Sequence, residues 1–178
     1  ILDCEDRPYN WGLVVVNFNN VGRMRKAQRE EKRQSAFSWD DILICIEYLV
    51  KNNVKVIGVI QQNYTGFFRG KKVYGVPPEI KRLCLDVDEV ARTYKRIGDG
   101  YCQDPDYNDM DDKVCIEYAK ERNCMIMDND RYADWLETGR GHAGKGGAGD
   151  LALARDVLNW FRSSYHKVKV SFHIHSHG

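Results

Sequence analysis

The sequence predicts an α/β fold in three layers, a central parallel sheet with helices on both faces. Two observations carry this. Short apolar, β-branched runs alternate with segments of helical period along the chain, and that order favours parallel strands joined by crossovers. The 178 residues are enough for one well-buried core and short for two, so residues 1–178 read as a single domain.

The elements follow in order. Gly12 to Phe18 (GLVVVNF) is a buried strand. Ser38 precedes Asp41 by a capping-box-like spacing, and Ile42, Cys45, Ile46 and Leu49 then recur at helical intervals. Val54 to Ile60 is a second strand. Pro77 and Pro78 open a short helix through Leu85, because proline suits a first turn. Val90 to Ile97 is a weaker strand. From Met110 an acid-led helix carries Val114, Ile116, Tyr118 and Ala119, as the helix dipole favours. Cys124 to Met127 (CMIM) is a short buried strand, with a helical turn over residues 128–136. Leu151, Ala154, Leu158 and Phe161 mark a last amphipathic helix, and Val168 to Ile174 a closing strand.

The composition excludes several classes. No apolar run reaches membrane-spanning length and no secretory leader is present, so the chain reads as soluble, cytoplasmic and without a membrane partner. It opens on Ile1, which suggests a domain excised from a longer protein. The six cysteines never stand in C-x-x-C spacing, so no zinc site is encoded, and buried reduced thiols are expected. Net charge is only +1, but its distribution is uneven.

In an open parallel sheet the ligand crevice lies outside the carboxyl ends of the strands. The residues expected there are acidic or amide: Asn17 and Asn20 after the first strand, Asp128 and Asp130 after CMIM with Asp134 a turn beyond, and Asp109, Asp111 and Asp112 at the start of the preceding helix. Each aspartate alone reads more readily as a structural helix cap than as a site residue. Together they form a carboxylate cluster that a hard divalent ion would relieve, and Mg²⁺ with its water suits phosphodiester hydrolysis.

The stretches VVVNFNNV (14–21), NDMDDKVCIEYAKERN (108–123) and CMIMDNDRYADW (124–135) resemble the NYN branch of the PIN nuclease superfamily, most closely the Regnase-like endoribonucleases. The resemblance implies a PIN-like, Rossmannoid fold and an endoribonuclease using Mg²⁺, or Mn²⁺. It places Asp111 and Asp112 on the family's paired aspartates, Asp130 and Asp134 on the two of its last motif, and Asn20 on its asparagine. Asn17 stands where the family has its first, central aspartate. The metal set so implied is Asn17, Asp111, Asp112, Asp130 and Asp134, with Asn20 beside it. An amide keeps one oxygen for a metal but lacks the charge that binds and activates it. An engineered aspartate-to-asparagine change fits the otherwise intact cluster better than a natural pseudonuclease. The resemblance also implies a homodimer and a setting in mRNA decay or RNA silencing; no CCCH zinc finger accompanies these residues, which points to the RNA-interference branch.

Basic residues follow the first strand: Arg23, Arg25, Lys26, Arg29, Lys32 and Arg33. They are candidates to hold an RNA strand beside the metal, or form a solvated surface. Arg69, Lys71 and Lys72 make a smaller patch near Tyr64, Phe67 and Phe68, aromatics that suit base stacking or a core. Thr138 to Gly149 is glycine-rich and carries Arg140, His142 and Lys145. It approaches a P-loop, but Gly146 replaces the required Ser or Thr and no strand precedes it, which excludes nucleotide hydrolysis. A loop bordering the RNA groove and plain disorder both stay open. His173, His175 and His177 alternate at the end, as a strand end or a metal chelator.

The expected function is a metal-dependent endoribonuclease acting on single-stranded or structured mRNA, inactivated in this copy at Asn17. The alternative is a non-catalytic RNA-binding or recruiting module. A receiver domain is disfavoured, since it wants an acidic pair after the first strand and this chain offers Asn17, Phe18, Asn19 and Asn20.

Overall fold

The computed structural model describes residues 1–23, 37–62, 64–92, 94–141 and 151–173. Its centre is a five-stranded parallel sheet built from β1 (Asn10–Asn17), β2 (Lys55–Gln61), β5 (Asp86–Val90), β8 (Cys124–Met127) and β9 (Lys169–Val170), in the order β5-β2-β1-β8-β9. From β1 the chain builds outward first through β2 and β5, then on the other side through β8 and β9. The strand order therefore reverses between β1 and β8, and their carboxyl ends frame the crevice.

Alternation along the strands feeds two cores. Val14 and Val16 of β1 pack with α1 (Phe18–Val21), α2 (Trp39–Lys51) and α3 (Pro78–Leu83). Leu13 and Val15 pack on the other face with α4 (Met110–Arg122), α5 (Ala133–Thr138) and α6 (Arg155–Val168). The predicted α/β layering is thus the observed one. Ser38 caps α2 as its spacing suggests, its Oγ accepting from the Asp41 amide at 3.3 Å. Cys45, Cys115 and Cys124 are buried free thiols. Among the described residues no helix is long and apolar enough to cross a membrane.

The expected strand over 90–97 divides in two. Its first residue closes β5, the sheet edge, whereas β6 (Tyr94–Ile97) pairs with β7 (Gly100–Gln103) as a separate antiparallel hairpin turning at Gly98. A second hairpin, β3 (Thr65–Phe68) with β4 (Lys71–Tyr74), has no counterpart in the sequence reading, because its polar Arg69-Gly70 turn reads only as a basic patch. The closing strand shrinks to Lys169–Val170, since α6 continues through Val168. The expected helical turn from residue 128 begins only at Ala133. Before it, the carboxylates of Asp128 and Asp130 accept from the backbone N–H of Asp130 and Tyr132, at 2.8 and 2.9 Å, and hold an open turn.

Asn123 joins these parts. It ends α4 in the left-handed region (φ 47), its amide donates to the Arg7 and Pro8 carbonyls at 3.0 Å each, and its Oδ1 accepts from Trp160 Nε1 at 2.9 Å. Both Asn123 and Trp160 are buried. Asn123→Ala strands these groups without partners and adds strain at positive φ, so equilibrium urea unfolding should show a loss of about 2–4 kcal/mol. Asn123→Gly, which tolerates the backbone but not the bonds, should lose less.

Candidate active site

Side-chain parity decides what meets at the crevice. Successive residues of a strand face opposite sides, so Asn17 follows Leu13 and Val15 to the α4 face. Gln61 follows Ile57 and Val59 there, and Asp128 follows Cys124 and Ile126. Register brings them level: Val16 pairs with Met127, and Asn17 with Val59. The first turn of α4 then lowers Asp111 and Asp112 onto this row.

Three asparagines from one turn of chain each hold one aspartate. Asn17 Nδ2 donates to Asp112 Oδ1, Asn19 Nδ2 to Asp111 Oδ2 and Asn20 Nδ2 to Asp128 Oδ1, all at 2.9 Å. The other oxygen of Asp111 accepts from Gln61 Nε2 at 3.1 Å, while that of Asp128 accepts from the Tyr132 hydroxyl at 2.6 Å. Asn17 also caps α1, its Oδ1 accepting from the Asn20 amide at 3.4 Å. Lys169 Nζ donates to the Asp128 carbonyl at 2.6 Å, bringing a cation behind the cluster.

Asn19, Asn20, Arg23, Gln61, Asn108, Asp109, Asp111, Asp112 and Asp130 line an open cavity of about 290 Å³. Its walls are almost wholly polar. Burial pushes the Asp111 carboxyl up to about 6, although the amides of Asn17 and Asn19 favour its charged form. Asp112 is pushed up to about 9, first by burial and then by the neighbouring charges of Asp111, Asp128, Asp130 and Asp109. Asp128 is raised by burial, against the opposing hydrogen bonds of Tyr132, the Asp130 amide and Asn20. Lys169 is lowered by burial, with Asp128 and Asp130 opposing. The amides thus satisfy the carboxylates geometrically without supplying the positive charge they lack.

Among the described residues no three His, Cys, Asp or Glu side chains stand close enough to hold a metal by themselves. The donor set nevertheless suits a hard ion that keeps several waters and takes only one or two carboxylates. Asp112 and Asp130 both face the cavity, and burial and the neighbouring carboxylates disfavour the charged form of Asp112.

The sequence-predicted residues divide accordingly. Asn17, Asn20, Asp111, Asp112 and Asp130 come together at or beside the cavity; Asp134 sits exposed in the first turn of α5 and does not line it. Arg23 lines the rim. Arg140 lies outside the lining, but its neighbour Gly141 packs so close that a Cβ there would stand 2.8 Å from Asp109 Oδ2. Arg25, Lys26, Arg29, Lys32 and Arg33, with Lys145, His142, His175 and His177, fall outside the described residues; His173 is exposed beyond β9. Sequence reasoning puts Asp128 at the crevice without a role there, and it does not reach Asn19, Gln61, Tyr132 or Lys169. Gln61 is legible as a polar residue ending an inward-facing strand; Lys169 approaches only through a strand of two residues.

The chain matches the Zc3h12a-like ribonuclease NYN domain over residues 11–142, most of its length and every element of the acidic cluster. It belongs to that family. No curated protein and no solved structure matches the chain. As an NYN ribonuclease domain it is an RNA-cleaving nuclease by family.

A pH dependence follows for this NYN domain. Asp112 ionises less readily folded than unfolded, so the folded state holds the extra proton between about pH 4 and about pH 9, and stability falls as pH rises through that window. Asp111 adds to the fall between about 4 and 6. Urea unfolding in EDTA at pH 5, 7 and 9 should show a steady loss, and Asp112→Asn should flatten most of it.

Proposed function

We propose that this domain is built as a Mg²⁺-dependent endoribonuclease, hydrolysing phosphodiester bonds in single-stranded or structured mRNA. Its activity in this chain is suppressed by asparagine at position 17. The observation that supports this most is the half-buried Asp112, pushed up to about 9 inside a polar cavity beside Asp130. A cluster that cannot ionise fully on its own is poised for a cation.

Asp112 and Asp130 would hold the ion, with position 17 as the central ligand once it is aspartate and Asp111 alongside. Bound Mg²⁺, or Mn²⁺, supplies a Lewis acid and a water of lowered pKa. The chain's own residues do the remaining work. Asn19 and Gln61 fix the Asp111 carboxylate from both sides and hold it in place at the cavity wall. Asn20 and Tyr132 fix Asp128, which orients the turn that carries Asp130. Arg23 places a guanidinium at the rim, where a substrate phosphate would lie. We further propose a cytoplasmic setting in mRNA decay or RNA silencing, with protein partners of those pathways and a homodimeric state, on the resemblance alone.

The second reading is a non-catalytic RNA-binding module, and one observation favours it. Asn17 donates to Asp112 at 2.9 Å, a bond that an ionised aspartate cannot donate, so the neutral residue holds the cluster together without an ion.

Asn17→Asp decides between them. It replaces that bond with carboxylate repulsion, so the variant should be less stable than the parent in EDTA and recover in Mg²⁺ by thermal melting. Cleavage of labelled single-stranded RNA should rise at least about a hundredfold over the parent and stop on chelation, since even outer-shell changes at metal sites alter activity up to that much. A variant that neither cuts RNA nor responds to Mg²⁺ supports the binding module.

A further inference from the structure

We infer that the outer face of the β3–β4 hairpin is a stacking platform for single-stranded RNA, entered beside the Arg23–Tyr64 contact at the cavity rim. This inference rests on the RNA-acting reading of the cavity and deepens it.

The path begins at the rim. Arg23 Nε donates to the Tyr64 hydroxyl at 2.8 Å, and the guanidinium lies over the Tyr64 ring, 5.5 Å from its centroid. Phe37 backs that ring at 4.2 Å. Arg23 is therefore held in place at the cavity and presents its remaining N–H donors, as a phosphate ligand should. Tyr64 leads directly into β3, and its carbonyl accepts from the Gly75 amide at 3.0 Å, so the end of β4 lies beside it.

Pairing fixes what the hairpin shows. Thr65 pairs with Tyr74 and Phe67 with Lys72, which puts Phe67, Lys72 and Tyr74 on one face. Tyr74 is 80% exposed and Phe67 42%, whereas Phe68, on the other face, is 8% exposed. Lys72 Nζ sits 5.8 Å from the Tyr74 ring centroid. Arg69 in the turn belongs to the other face: its guanidinium lies over the Phe68 ring, 4.9 Å from the centroid, with Nη1 3.7 Å from Glu79, and its backbone amide donates to Asp40. Two exposed aromatics with an ammonium between them match a nucleic-acid strand, whose bases stack and whose phosphates need cations. Neighbouring exposed aromatics, unlike apolar side chains scattered singly, mark an interaction surface. The unpaired strand that leaves the acidic cavity past Arg23 is its partner.

The test is binding of fluorescein-labelled oligouridylate to the chain as it stands, by fluorescence anisotropy, with a trinucleotide and a 12-mer. Tyr74→Ala and Lys72→Ala should each weaken the 12-mer roughly five- to tenfold and leave the trinucleotide unchanged. Tyr74→Phe should bind like the parent, because the ring and not the hydroxyl stacks. Lys72→Ala should also flatten the salt dependence by about one phosphate contact. Both positions are exposed, so the substitutions leave the core untouched, and unchanged melting curves verify it. The inference is overturned if the 12-mer binds both alanine variants as tightly as the parent, which would make the hairpin a protein-docking surface, or if the parent does not bind the 12-mer. A parent that binds while Asn17→Asp fails to cut RNA sinks the nuclease reading and leaves the platform standing.

Discussion

Several carboxylates converge on the carboxyl ends of β1 and β8, and the chain has to fold with them crowded there. The turn Asn17-Phe18-Asn19-Asn20 makes this workable by assigning one amide to each of Asp112, Asp111 and Asp128. Everything near the cavity depends on that arrangement. Phe18 is buried between the amides on the opposite face, against Trp39, and anchors the turn to the second core. The start of α4 is fixed through Asp111 and Asp112, and the turn after β8 through Asp128. A change in any of these amides moves an acid as well as an amide.

Hydrogen bonds satisfy the geometry of a carboxylate more fully than its charge. Burial and mutual repulsion still raise Asp111, Asp112 and Asp128, and Lys169 on β9, beside Asp128, is itself lowered by burial. The folded cluster therefore holds protons at neutral pH or recruits a cation. Asparagine at position 17 favours the first outcome, because it adds a donor where aspartate would add another charge.

Much of this is legible without coordinates. The apolar runs at 12–18, 54–60 and 124–127 mark the three central strands because both their faces are covered, which makes them continuous in sequence. The acidic positions follow, since they end those strands or open α4. Edge elements are less legible. β9 has two residues and β5 is polar, so neither carries a periodic signal, and the hairpins are set by turn residues between mixed polar and aromatic segments. Asn19 and Gln61 escape notice as site residues for a different reason, as does the part Asp128 plays in holding the turn. These roles depend on parity and register, which a sequence shows only once the neighbouring strands are aligned. Asp134 illustrates the converse: a motif position whose spacing suggests the cluster, but whose place on the far side of the open turn leaves it exposed at α5.

We propose that the polar cavity at the end of β1 is a divalent-ion site when position 17 carries a charge. Crystals of Asn17→Asp soaked in Mn²⁺ test it through anomalous scattering. One strong peak is expected within bonding distance of Asp112, Asp130 and the carboxylate introduced at position 17, with a weak or absent peak in the parent chain. No peak at that position in the variant, with the carboxylates still held by Asn19, Asn20, Gln61 and Tyr132, would rule out the ion site.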